Sequence, residues 1–143
     1  FLNSIFVSWN DIYAAGYEQN NSNKFIATYW KNGVAVNLTN GADDEKASSI
    51  YVAGNDVYVA GSGYSLLNSS AAKYWKNGVE VALSDSTKPT RTYAIYVLNN
   101  DVYTAGIEGA PTVSFSGYWL NATPFGISGL TDVTAMFIQP GKL

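Results

Sequence analysis

Two kinds of residue that could do chemistry recur along the chain at a nearly constant spacing, one aspartate and one tryptophan in each repeat. The three aspartates are 45 residues apart, and the three tryptophans are 45 and then 44 residues apart. They are Asp11, Asp56 and Asp101, and Trp30, Trp75 and Trp119. A recurring carboxylate could ligate a cation, and a recurring indole could stack on a sugar ring.

The surroundings of these residues favour a structural role for both. Each aspartate follows an asparagine between two apolar runs, as in IYVAGNDVYVAG at 50–61. Asparagine tolerates positive φ and aspartate hydrogen-bonds nearby backbone, whereas calcium requires several carboxylates from one loop. We therefore predict that the aspartates are turn residues and not metal ligands. The tryptophans are predicted to pack neighbouring units together, with sugar stacking as the alternative.

Composition excludes several classes of function. The chain has no His and no Cys, so a histidine-based triad, a thiolate nucleophile and a His or Cys metal site are all excluded. The net charge of −3 predicts no basic face for nucleic acid, and no apolar run approaches the roughly 18 residues of a membrane span. A carboxylate pair could still hydrolyse a glycoside. We expect a protein without cofactor or catalytic activity, and a glycoside-active enzyme is the alternative.

The elements that position these residues form a repeated unit of about 45 residues. Ala-Gly closes a predicted first hairpin in each copy, and Tyr-Trp opens a second hairpin, followed in two copies by KNGVAVNL (31–38) and KNGVEVAL (76–83). Asn-Asp and Asn-Gly between β-branched runs indicate tight hairpin turns. A four-stranded unit of this length, with an apolar first hairpin, is typical of a β-propeller blade.

We therefore predict an all-β fold in a single propeller or part-propeller domain, 1–143. It comprises three four-stranded antiparallel blades and the start of a fourth. The predicted blades are residues 1–46, 47–91 and 92–133, and 134–143 would form the first strand of a further blade.

The pattern SIYVAGNDVYVAG…AKYWKNGVEVAL resembles the tandem propeller repeats of uncharacterised bacterial surface or secreted proteins. It is more distantly similar to Kelch blades, in which an apolar run ending in glycine precedes spaced aromatic residues. The resemblance covers the whole chain. It implies a propeller fold and a secreted or cell-surface location in a bacterium, and it transfers no activity and no catalytic residues.

The candidate binding residues lie on one predicted rim. In an up-and-down blade the Asn-Asp and Asn-Gly turns share a rim, and the long, variable connections lie on the opposite one. Variable loops on a rigid scaffold are where binding usually occurs. We predict a non-catalytic binding module for a glycan or a protein. Its candidate contacts are Tyr17, Glu18, Tyr64, Arg91 and Glu108.

The blade count gives the second function class, a structural role in assembly. Closed propellers have about four to eight blades, and this chain encodes three. A homodimer could close a six-bladed ring, or the chain could be one stretch of a longer array. The absence of an initiator Met before Phe1 favours the longer array. In both cases the end blades are expected to pack on other blades.

Overall fold

The structure, a computed structural model, describes residues 1–64, 70–84, 87–110 and 113–127 of the chain. These residues form three four-stranded antiparallel sheets with the strands in chain order, and no helix occurs among them. This confirms the predicted all-β architecture of propeller-like blades. The predicted start of a fourth blade, 134–143, lies outside the described residues.

Each sheet runs from an inner strand to a short outer strand. The first sheet contains β1 (Leu2–Ser8), β2 (Asp11–Gln19), β3 (Phe25–Lys31) and β4 (Val34–Asn37). The second contains β5 (Asp44–Ala53), β6 (Asp56–Tyr64), β7 (Ser70–Lys76) and β8 (Val79–Ala82). The third contains β9 (Thr90–Leu98), β10 (Asp101–Ala110), β11 (Val113–Leu120) and β12 (Thr123–Gly126). In the described ranges there is also no helix long and apolar enough to cross a membrane.

The sheets stack face to face through two apolar cores. One core joins the first and second sheets and includes Tyr13, Ile50 and Trp75. The other joins the second and third sheets and includes Tyr58, Ile95 and Trp119. The first strands also contact one another, since β1 packs on β5 and β5 packs on β9. The first hairpin is therefore the inner part of each blade.

Aromatic side chains at one repeat position join the three inner strands. The rings of Phe6 and Tyr51 are 4.8 Å apart, and the rings of Tyr51 and Tyr96 are 4.6 Å apart. Such tilted pairs stabilise a contact beyond the area that they bury. The aromatic contacts fix the neighbouring inner strands against one another.

The first hairpin differs from the prediction at its turn. The aspartate lies in the second strand and not in the turn, since Asp11, Asp56 and Asp101 are the first residues of β2, β6 and β10. The residue before the asparagine has positive φ, with 55° at Trp9 and 61° at Gly54, and in the third hairpin both Asn99 (52°) and Asn100 (70°) have positive φ. The turn is thus one residue earlier than predicted, because Asp is already paired with the end of the first strand.

The Ala-Gly pair lies inside the second strand and does not close the hairpin. Gly61 pairs with Ala47 while Ala60 pairs with Ser49, so Ser48 is an extra, bulged residue in β5. A Cβ on Gly61 would lie 2.5 Å from the carbonyl oxygen of Lys46. Only glycine fits opposite the bulge. The recurring glycine therefore marks a β-bulge in each inner hairpin.

The strands also extend further than the sequence predicted. The connection predicted to span 17–25 is shorter in the structure, because β2 continues to Gln19 and β3 begins at Phe25. Pairing between the two strands, Gln19 with Phe25 at its end, provides this extension. The sequence predicts links between the blades near 39–48 and 84–93. β5 begins at Asp44 and β9 at Thr90, so these links are shorter in the structure.

The second hairpin turn has the left-handed backbone that Asn-Gly favours. φ is 51° at Asn77 and 82° at Gly78, and the first sheet has the same turn. In the third sheet Ala122 occupies the glycine position with φ of 68°. Alanine in this conformation is strained because its Cβ approaches the following carbonyl.

Replacement of Ala122 by glycine is expected to raise the free energy of unfolding by about 0.5–1 kcal/mol, because it removes this strain. The reciprocal variant Gly78→Ala is the control. A Cβ at Gly78 meets nothing within 4 Å, so the substitution adds only backbone strain. We therefore expect Gly78→Ala to lower the free energy of unfolding. Urea denaturation of the parent and both variants measures these changes. Midpoints of both variants equal to that of the parent would contradict the prediction.

Candidate ligand-binding site

The inner strands surround a concave pocket at the rim opposite the tight turns. Its volume is about 350 Å³. We call it the inner-rim pocket, and it is lined by Asn3, Lys46, Ala47, Ser48, Ser62, Arg91, Thr92 and Tyr93. These residues come from all three sheets, at the start of β1, β5 and β9 and near the end of β6. The pocket is therefore formed where the three repeats converge.

The bulge residue of each inner strand lies at this pocket. Asn3, Ser48 and Tyr93 are 45 residues apart, and each is the unpaired residue of the bulge in its inner strand. All three line the inner-rim pocket. A bulge often re-aims a side chain next to a binding site. One structural device thus supplies three chemically different side chains, an amide, a hydroxyl and a phenol, to the same pocket.

Hydrogen bonds between repeats hold the pocket wall in place. The Asn3 side-chain amide donates to the carbonyl of Ala47 at 2.8 Å, which joins the first two sheets. The Thr92 hydroxyl donates to the carbonyl of Gly61 at 2.8 Å, and its amide donates to the Ser62 hydroxyl at 3.1 Å. These bonds cross sheet boundaries. The wall is preorganised and does not depend on a loop.

Two cationic side chains give the pocket its electrostatic character. Lys46 and Arg91 occupy the same repeat position, 45 residues apart. The Lys46 ammonium lies 4.6 Å from the ring centre of Tyr17 and 4.3 Å from that of Phe25. Within the ranges that the structure describes, no carboxylate lies at ion-pair distance from Lys46. Cation–π contacts hold this charge beside the pocket wall.

The five predicted contact residues are all strand residues, and the structure brings two of them to this region. Arg91 lines the pocket, and the ring of Tyr17 makes a cation–π contact with Lys46. Glu18 is exposed on β2, and the backbone of Tyr64 pairs with Asp44 and Ser70. Glu108 binds Lys88 at 3.2 Å beside a separate hollow of about 540 Å³.

The sequence interpretation missed Lys46 and the three bulge residues. The signal that could have found Lys46 is its repeat equivalence to Arg91, at the spacing that defines the repeat. The bulge residues could have been found from the glycine of each Ala-Gly pair, which lies opposite the bulge. The first signal is present in the repeat spacing, whereas identifying the bulge residue also requires the register between two strands.

The tryptophans differ in exposure between copies. Trp75 and Trp119 are 1% and 0% exposed and lie in the two cores between sheets. Neither presents a face on which a sugar could stack in this structure. Trp30, at the same repeat position, is only half-buried, because no sheet covers that face of the first blade in the described part of the chain.

The repeated aspartates join the two turns of each blade. Asp56 accepts a hydrogen bond from the side-chain amide of Asn77 at 2.8 Å, and it forms an ion pair with Lys76 at 3.1 Å. The bonds from Asn77 and Lys76 lower the pKa of Asp56. Asp11 with Asn32, and Asp101 with Asn121, repeat the amide bond at 2.8 and 2.7 Å. The described residues contain no group of three carboxylates that could hold a cation.

Two carboxylates converge elsewhere, on the second sheet. Glu45 and Glu80 both accept hydrogen bonds from the Lys73 ammonium, at 2.8 and 3.0 Å. Burial alone would lower the pKa of Lys73, but the two carboxylates outweigh it and the pKa is raised. The three charged groups therefore form an ion triad around the shared ammonium.

No protein-family model matches the chain, and no curated protein matches its sequence.

Proposed function

We propose that this protein is a non-catalytic propeller-type scaffold that binds a negatively charged glycan or protein segment in the inner-rim pocket. The observation that carries the proposal is the convergence of one bulge residue from each repeat, Asn3, Ser48 and Tyr93, on a single pocket. The inner-strand position of Ile5, Ile50 and Ile95 keeps its residue type from copy to copy. The bulge position instead varies, as expected of a recognition surface.

The charge of the pocket supports an acidic ligand. The chain has a net charge of −3, yet the two charged side chains that line the pocket are both cationic, Lys46 and Arg91. Charge-assisted hydrogen bonds are about twice as strong as neutral ones, and Arg binds carboxylate or sulfate through two parallel bonds. The Tyr93 ring adds an apolar surface for a sugar or a side chain.

A glycoside-active enzyme receives less support. Such an enzyme requires a protonated carboxylic acid facing a second carboxylate across the scissile bond. Glu45 and Glu80 converge, but both serve as acceptors for Lys73. A location outside the cell or on a bacterial surface is also part of the proposal, and it rests on the resemblance of the repeat alone.

Titration of matched acidic and neutral oligosaccharides, and of an acidic peptide, tests the proposal by calorimetry. We expect an acidic ligand to bind and its neutral counterpart to bind at least about tenfold more weakly, which corresponds to about 1.4 kcal/mol. Lys46→Gln and Arg91→Gln should each weaken binding by a similar factor. Lys76→Gln is the control, since it removes the same charge on the opposite rim.

Binding that Lys46→Gln and Arg91→Gln leave unchanged would contradict this site. Binding of neutral and acidic ligands with equal affinity would contradict the charge requirement.

A further inference from the structure

One face of the first sheet exposes apolar side chains of the type that the other two sheets bury. We call it the leading face, and it carries Ile5, Val7 and Ile12, which are 69%, 62% and 51% exposed. The half-buried Trp30 lies on the same side, since its counterpart Trp75 packs toward the preceding sheet. Contiguous exposed apolar patches on soluble proteins usually mark an interaction surface.

The equivalent residues of the other sheets show what covers such a face. Ile50 and Val52 in the second sheet are 3% and 7% exposed, and Ile95 and Val97 in the third are 5% and 6% exposed. In both cases the cover is the opposite, trailing face of the preceding sheet. The repeat therefore contains its own complementary surface.

The trailing face is rich in tyrosine. Tyr13 and Tyr58 lie on the trailing faces of the first two sheets and are 6% and 3% exposed, because the next sheet covers them. In the third sheet this position is Tyr103, which is only partly buried. Its neighbours Tyr118 and Phe125 stack at 5.3 Å, and Phe125 is 42% exposed.

We propose that the leading face of the first sheet packs on the trailing face of the third sheet of a second copy of this chain. The occupant is another blade of the same repeat because this pairing of faces already occurs twice within the chain. In a two-fold dimer each chain provides one leading and one trailing face, so both contacts form and the ring closes at six blades. This interface is independent of the proposed ligand pocket.

Sedimentation equilibrium of the 143-residue chain at micromolar concentration tests the proposal. We expect the parent to have twice the chain mass of 15.4 kDa. The double variant Ile5→Lys/Val7→Lys should have the mass of one chain, with an unchanged circular dichroism spectrum. Val79→Lys is the control, since Val79 is 68% exposed although its sheet is covered on both sides, and this variant should stay dimeric.

A second variant separates head-to-tail packing from other arrangements. Phe125→Lys alters the trailing face and should also give single chains. Mixing it with the double variant should restore dimers, because the unchanged leading face of the Phe125→Lys chain can then pack on the unchanged trailing face of the double variant. A single-chain mass for the parent overturns the proposal. A dimer that Phe125→Lys leaves intact also overturns it, because that result would indicate that two leading faces pair. An assembly larger than two chains overturns it as well.

Discussion

Replacement of Trp75 by alanine is expected to lower the free energy of unfolding by about 3–5 kcal/mol, the usual cost of truncating a buried tryptophan. Trp75 is 1% exposed and lies in the core between the first and second sheets. Its ring also packs on Gly61, where an added Cβ would lie 2.6 Å from Cζ3 of the indole. The neighbouring backbone is in paired strands and cannot collapse into the space, so a cavity would remain.

Urea denaturation followed by circular dichroism measures this loss. Trp9→Ala is the control, because Trp9 is 97% exposed and its removal empties no core. We expect the control to unfold close to the parent. A Trp75→Ala protein with the stability of the parent and reduced ligand binding would contradict the packing role and support sugar stacking instead.

The repeat architecture could be predicted from the sequence because its signals are local. The Asn-Gly pairs at 32–33 and 77–78 specify a left-handed turn that few other residue pairs adopt, and they have the expected backbone in the structure. The spacing of 45 residues then sets the number of sheets. The four strands of each blade could be predicted from the turn residues and from the alternation of side chains, because both signals lie within a few residues.

The first hairpin could not be placed as well, because its register depends on contacts between strands. Asp56 looked like a turn residue, but its pairing with Ala53 makes it the start of β6. The bulge at Ser48 shifts the pairing by one residue and lengthens the hairpin beyond Gly61. The strand pairing decides both features, although the recurring glycine is a local sign of the bulge.

The candidate site shows the same limit. Arg91 and Tyr17 were selected because they lie on the variable rim, and the structure places both at or beside the inner-rim pocket. Glu108 met the same criterion, yet it binds Lys88 beside a different hollow. Loop length identifies a rim. Convergence at the axis depends on how the sheets rotate about one another, and no single repeat specifies that rotation.

The ion triad of Lys73, Glu45 and Glu80 on the second sheet provides a second position where a large effect is expected. Lys73 and Glu45 have side chains only 11% and 15% exposed, and their charged atoms are 2.8 Å apart. The second oxygen of Glu45 is buried and has no hydrogen-bond partner in the described part of the chain. Lys73 is thus the compensating charge for a carboxylate that is largely out of water.

Lys73→Met is expected to lower the free energy of unfolding by about 3–5 kcal/mol, since removing one partner of a buried pair leaves the other charge uncompensated. Methionine keeps most of the side-chain volume, so the loss reports charge and not a cavity. Lys76→Met is the matched control three residues along β7, because Lys76 pairs with Asp56 in the open, with side chains 47% and 41% exposed. Solvent screens that pair, and little change is expected.

A double variant separates the burial of charge from other consequences of removing Lys73. Lys73→Met/Glu45→Gln removes both charges from the buried pair, and we expect it to recover much of the stability that Lys73→Met loses, because no uncompensated carboxylate then remains. Urea midpoints for the parent, the two single lysine variants and the double variant provide the measurement. A double variant no more stable than Lys73→Met would show that the ammonium contributes through its contacts with Glu80 and Trp75, which lie at 3.0 and 5.9 Å, and not by compensating Glu45.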